Sequence, residues 1–162
     1  MIGLLALAMM QGPATFMEQA DPMTDERLSV AMMTSGDAGF AIGCRGRDRS
    51  LQLIFMAGQH LIRTNWLTAA RPFMFRFDND EPVTSDWYYD GRFATQYSGP
   101  QLRRFLTRIL SASRLRVRAY DYDGRAIDAE FAVEGIAPPL RQALQSCNDR
   151  RANEAVLPLI PR

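Results

Sequence analysis

The residues able to do chemistry are few. His60 is the only histidine, and Cys44 and Cys147 are the only cysteines. One imidazole cannot complete a histidine-based metal site, and two distant cysteines without a CxxC fit no zinc spacing. No G-x-S-x-G turn offers a serine for His60 to activate, so His60 reads as a surface or hydrogen-bonded histidine rather than a catalytic base. The acidic runs Asp78-Asn79-Asp80-Glu81 and Asp121-Tyr122-Asp123-Gly124 bring oxygen ligands close together, as a calcium loop does. Neither completes the pattern: the second has Ala126 where such a loop needs its sixth-position glycine. Both read as acidic turns. A hydrolytic carboxylate pair is a tertiary arrangement that no spacing here marks. With no Walker loop or dinucleotide fingerprint, the sequence points to no catalytic residue, no cofactor and no metal.

Two readings of the cysteines remain, a pair of buried free thiols or a disulfide. Position favours the bridge. Cys44 ends the apolar run Phe40-Ala-Ile-Gly-Cys44, and Cys147 ends a C-terminal helix just before a polar stretch. A bond between them would tie the last helix to an early strand. Closing a loop of about 100 residues gives roughly 4–5 kcal/mol in the chain-entropy model, before native strain. It also requires an oxidising compartment.

Recognition chemistry has two candidate carriers. Trp87, Tyr88 and Tyr89 are three consecutive rings, and a strand alternates its side chains, so at least one must face outward. Arg103, Arg104 and Arg108 lie largely opposite the apolar side of a helix. These six residues form the candidate recognition surface. Every one of the 19 cations is arginine, which a GC-rich genome explains more simply than a surface built for bidentate contacts.

Elements that would position these residues follow from periodicity. Runs at about 28–34, 38–44 and 50–57 read as strands, with turns at Gly36-Asp37 and Arg45-Gly-Arg-Asp48. Residues 72–77 form another, halted by the acidic run ending at Pro82. Asp90-Gly91 is a hairpin turn between Trp87-Tyr-Tyr89 and residues 92–97, while residues 58–71 are ambiguous. Pro100 opens a helix of about a dozen residues in which Leu102, Phe105, Leu106, Ile109 and Leu110 recur at helical spacing. Next comes a hairpin. Leu115, Val117 and Ala119 alternate with Arg114, Arg116 and Arg118, and the return strand alternates Ile127, Ala129 and Phe131 with Asp128 and Glu130. A three-residue loop, Tyr122-Asp123-Gly124, pairs Arg118 with Asp128 and Arg116 with Glu130, which makes the arginine stripe a solvated charge ladder. Pro138-Pro139 start the last helix. The expected fold is α+β, a mainly antiparallel, sandwich-like sheet system with two helices near 100–112 and 138–147. It forms one domain over 21–147, after a leader and lead-in at 1–20 and before a loosely ordered tail at 148–162.

The net charge of +1 gives no drive toward nucleic acid, and no stretch reaches the roughly 20 apolar residues of a membrane span. Residues 1–10 are apolar and uncharged, and Ala6-Leu7-Ala8 has the small-x-small form of a cleavage site. They read as a truncated signal-like leader, the alternative being a short buried segment.

Taken in order, Asp21-Pro-Met-Thr-Asp25, Ile42-Gly-Cys44, Phe75-Arg-Phe-Asp78, Trp87, the helix around Phe105, Leu115-Arg-Val117, Phe131-Ala-Val-Glu-Gly135 and Cys147 form a series of landmarks. Over about residues 21–147 this order resembles the VasI/TagO-type accessory proteins associated with type VI secretion, and related exported proteins of unassigned role. The resemblance implies a periplasmic or secreted, non-enzymatic accessory or binding protein with a protein partner in the cell envelope. It carries over no catalytic residue. A second reading is a periplasmic inhibitor or immunity protein against a cell-wall hydrolase, with the arginine helix face or Trp87–Tyr89 as its wedge.

Overall fold

The computed structural model describes residues 11–62, 69–97 and 99–162; the leader-like residues 1–10 and Trp66 lie outside them. The described strands are β1 (Gln11–Ala20), β2 (Arg27–Ser35), β3 (Ala38–Arg45), β4 (Ser50–Met56), β5 (Ala69–Phe77), β6 (Val83–Asp90), β7 (Phe93–Tyr97), β8 (Arg114–Tyr120) and β9 (Ala126–Ala132). They form one sheet in the order β1-β2-β3-β4-β7-β6-β5-β8-β9, antiparallel at every junction. Helices α1 (Pro100–Ile109), α2 (Ala137–Ser146) and α3 (Arg150–Val156) complete the α+β fold.

The sheet is continuous, yet it encloses its core from two sides. Short antiparallel connections keep sequential strands adjacent, and the accumulated twist curls the sheet until β9 approaches β1 and β2. Phe40 of β3 therefore meets Phe131 of β9 at 5.9 Å between ring centroids, and Phe55 of β4 meets Phe73 of β5 at 5.6 Å. Phe40 also stacks on Phe105 of α1 at 5.5 Å. The apolar side of α1, read from the periodicity of Leu102, Phe105, Leu106 and Ile109, is buried here.

Curling brings β2 and β3 unusually close. A Cβ on Gly43 would stand 2.0 Å from the Ser29 carbonyl oxygen and 2.7 Å from Val30 Cα. Only glycine tolerates backbone at that distance.

The β8–β9 hairpin has the register anticipated from its alternation: Arg118 faces Asp128, Arg116 faces Glu130 and Ala119 faces Ile127. Gly124 sits at φ +79° at the end of the loop, where the left-handed conformation is needed.

Two segments differ from expectation. The lead-in, residues 11–20, is strand β1, paired with β2 through a bulge between Gly12 and Thr15. Pro13 is tolerated because β1 is an edge strand, and Phe16 packs against the core. The tail at 148–162 is also folded. Asp149 caps α3 by accepting from the Ala152 amide at 2.9 Å, and Ala152, Val156 and Ile160, spaced by four, are buried. Arg141 of α2 donates to the carbonyls of Ile160 and Pro161. The prolines and polar start of this segment suggested a loop; burial of one narrow apolar stripe outweighs them.

Cys44 and Cys147 are joined by a disulfide, with their Cα atoms 5.5 Å apart. A second latch lies beside it. Arg49, in a left-handed conformation at φ +55°, donates from Nη2 to the Ser146 carbonyl at 2.9 Å and to Ser29 Oγ at 2.7 Å. Its Nη1 donates to the Arg27 carbonyl at 2.8 Å, and its own carbonyl accepts from the Asn148 amide at 2.9 Å. A cation thus satisfies the C-terminal carbonyl of α2, which also suits the helix dipole.

Replacing both cysteines by serine should lower stability by about 2–5 kcal/mol in urea unfolding. Since Arg49 secures the same junction, the combined variant should lose less stability than the sum of the losses for the serine pair and Arg49→Ala measured separately. Strict additivity would show that the two act independently.

Candidate functional site

Alternation along β6 divides the three consecutive rings. Trp87 and Tyr89 face the core and are fully buried. Trp87 stacks on Phe73 at 3.9 Å, and its Nε1 donates to Ser85 Oγ at 3.1 Å. The Tyr89 hydroxyl donates to the Pro72 carbonyl at 2.7 Å and accepts from the Tyr120 amide. Burial pushes its pKa up to about 12. Neither ring can serve as a recognition surface. Tyr88 alone points outward, half-exposed, and packs edge-on against Tyr97 at 5.4 Å.

The arginines of α1 also separate. Arg104 is exposed and Arg103 partly so. Arg108 is committed: its Nε donates to Asp80 Oδ2 at 2.6 Å and its Nη2 to Asp80 Oδ1 at 3.1 Å, with Asp78 Oδ2 at 3.4 Å. Asp78 Oδ1 accepts from the amides of Arg114 and Ser113 at 2.9 and 3.0 Å. The acidic run is thus a clamp joining the β5–β6 turn to α1 and the start of β8. Backbone donors from Arg114, with help from Arg108, hold the Asp78 carboxyl below the usual range, and the Arg108 hydrogen bond does the same for Asp80. The other acidic run is also a turn, Asp121 Oδ1 accepting from the amides of Asp123 and Arg125 at 2.9 Å each. Among the described residues, no group of acids, histidines or cysteines is arranged to hold a metal ion. His60 lies exposed in the loop after β4.

The outer face of the sheet has two halves of different character. Across β8 and β9 it is a charge ladder: Arg118 grips Asp128 through two hydrogen bonds of 2.6 and 2.7 Å, and Arg116 Nε meets Glu130 at 2.7 Å. A hollow of about 420 Å³ borders it; Arg116 and Arg118 on its lining are already paired, while Arg76, also on it, has a buried Nε without a hydrogen-bond partner.

Across β1–β4 and β7 the outer face is largely apolar, with Tyr88 of β6 beside it among that strand's outward Thr84, Asp86 and Asp90. Register places Met17, Val30, Gly43, Gln52 and Tyr97 in one cross-strand row. The next row runs Thr15, Met32, Ala41, Ile54, Thr95 and Tyr88. Along β3 the outward residues are Gly39, Ala41 and Gly43, with Arg45 at the end of the strand. This strip of minimal side chains lies between β2, carrying Leu28, Val30 and Met32, and β4, carrying Gln52, Ile54 and Met56. The result is a hollow of about 530 Å³, within the range of about 300–1,000 Å³ for small-molecule sites. Met56 Cε stands 2.5 Å from where a Cβ on Gly39 would be, with Met32 Sδ at 3.6 Å, so thioethers close that end.

Two polar residues mark the hollow's other end. Gln52 lines it, is 9 % exposed, and has no hydrogen-bond partner for its side-chain amide among the described residues. Arg45 is exposed and makes no ion pair or hydrogen bond among the described residues. Neither was singled out from sequence. The available signal was the outward Gly-x-Ala-x-Gly-x-Arg pattern of β3, visible only once strand and face are known. Among the six residues of the anticipated recognition surface, only Tyr88 joins this hollow. The chain matches no known protein family, no curated protein and no solved structure.

The clamp has a defined acid signature. Asp78 and Asp80 have folded-state pKa values depressed from 3.8. Their stabilisation is therefore complete above about pH 5 and is lost as pH falls through the folded-state values. Urea unfolding from pH 7 to 2.5 should give a steeper loss of stability below about pH 4 in the native chain than in Asp80→Asn. Parallel curves would mean that the clamp adds nothing.

Proposed function

We propose that this protein is an exported, non-enzymatic binding protein of the bacterial cell envelope, an accessory to a larger apparatus rather than a catalyst. The observation that carries the binding role is the hollow on the outer face. Apolar side chains gathered in contact with solvent are costly to a sheet with no ligand. The disulfide supports export, because such bonds persist in oxidising compartments. Likewise, no helix of the described residues is long and apolar enough to cross a membrane.

The resemblance to VasI/TagO-type accessory proteins gives this reading its context, association with a type VI-like secretion apparatus and a protein partner in the envelope. The inhibitor reading has a weaker physical basis. Its wedge would rest on Tyr88, Arg103 and Arg104, since Trp87 and Tyr89 are buried and Arg108 is bound to two aspartates.

Export and binding can be tested separately. Native protein from the producing cell, alkylated before reduction, should be found in the envelope fraction and carry no label on Cys44 or Cys147; cytoplasmic protein with two labelled thiols would overturn export. An anilinonaphthalene sulfonate dye should bind the folded protein at one site, and Ala41→Leu, which fills the floor of the hollow, should abolish that signal with the circular dichroism unchanged. A folded native protein that leaves the dye unbound would overturn the binding role.

A further inference from the structure

We infer that the hollow accepts one long-chain fatty acid, its aliphatic chain lying over Ala41 between the Met56 end and Arg45 and its carboxylate meeting Arg45 and Gln52. This inference rests on the binding role proposed above and names its ligand. From the row of Met56, paired with Gly39, to Arg45 is six residue steps, about 20 Å of strand, a span suited to a long unbranched chain. The walls, β2 and β4, stand two strand spacings apart, about 10 Å between backbones. The lining continues past these two strands to Met17 of β1 and Tyr88 of β6.

An extended peptide meets a physical obstacle. The face of a sheet offers no free backbone donors or acceptors, so the peptide would bury its amides unpaired. An acyl chain has no such groups along its length. A fatty acid also carries its anion at one end of the chain, as the hollow carries its cation, Arg45, at one end.

The ends of the slot set the direction of the chain. At the Gly39 end Met56 and Met32 close over the floor, and flexible, polarisable thioethers adapt to a methyl terminus; Asp90, in the same cross-strand row as Met56 and Phe93, also lines this end and disfavours a carboxylate there. At the other end Arg45 is a cation without a partner among the described residues, and Gln52 lines the hollow with a side-chain amide that makes no hydrogen bond to another described residue. In the row with Gln52, Tyr97 is half-exposed and adds a phenol at the mouth. Guanidinium and amide together supply donors for both oxygens of a carboxylate.

The probe is hexadecanoate, with hexadecanol as the headless control, followed by isothermal titration of the full chain and native mass spectrometry. Hexadecanoate should bind one to one. Arg45→Glu, whose side chain supports no other contact, should weaken it about tenfold or more while leaving hexadecanol affinity unchanged. Ala41→Leu should abolish binding of both; should that variant fail to fold, Arg45→Glu carries the test alone. Equal binding of hexadecanoate to Arg45→Glu and native protein would overturn the head assignment. Absence of hexadecanoate binding by protein that still binds the dye would overturn the fatty-acid assignment and leave the binding role standing. Failure of both would overturn the two together. Co-sedimentation with phosphatidylglycerol vesicles, without hexadecanoate binding, would assign the face to a membrane surface instead.

Discussion

The junction of β3 with the end of α2 is the constraint from which the rest of the architecture follows. There a covalent bond between Cys44 and Cys147 and the guanidinium of Arg49 act within a few residues of each other. Between them they fix α2 across β1, β2 and β3 on the inner side of the sheet. With the helix held there, that side of the early strands is committed to the core, and period-two alternation commits every intervening residue to the outside. The close approach of β2 and β3 at Gly43 belongs to the same region. Stapling, curling and the choice of faces are one event seen at three scales.

Curling lets a single sheet do the work of two layers. Phe40 and Phe55 on one side of the core meet Phe131 and Phe73 on the other, and Phe105 of α1 joins the cluster. The cost of this arrangement falls on the outer surface. An antiparallel sheet with one buried face ordinarily turns polar residues to water on the other, and β8–β9 does so with its arginine–acid ladder. The early strands do not. Their outer rows carry methionine, isoleucine, valine and tyrosine with a few threonines and Gln52, around Ala41 at the floor. Arg45, without an ion pair among the described residues, and Gln52 stand together at one end of that floor. This departure from the ordinary pattern is local, and it is where a ligand would repay the exposed surface.

The residues that drew attention first turn out to be structural for reasons of geometry. Trp87 and Tyr89 lie one strand period apart on the inner face, so the tripeptide offers a single outward ring. Arg108 follows the outward side of α1 but ends beside the β5–β6 turn, where Asp78 and Asp80 neutralise it. Both assignments needed knowledge of what lies opposite, which helical or strand periodicity does not contain.

Local order was therefore legible and long-range order was not. The strands at 28–34, 38–44 and 50–57, the helix opened by Pro100 and the register of the β8–β9 hairpin follow from alternation, turn glycines and prolines, all properties of neighbouring residues. The two cysteines admitted a bridge on position and the absence of metal spacing. The α3 segment could have been read from Asp149 ahead of Ala152 and Val156, but its apolar stripe is too narrow to declare itself beside Pro158 and Pro161. What only the tertiary structure decided is the groove. Its rows run across β1, β2, β3, β4 and β7, joining residues as distant as Met17 and Tyr97. The sequence determined which side chains each strand could present; the curl of the sheet decided which of them stand side by side, because cross-strand neighbours are set by hydrogen-bond register and burial rather than by position in the chain.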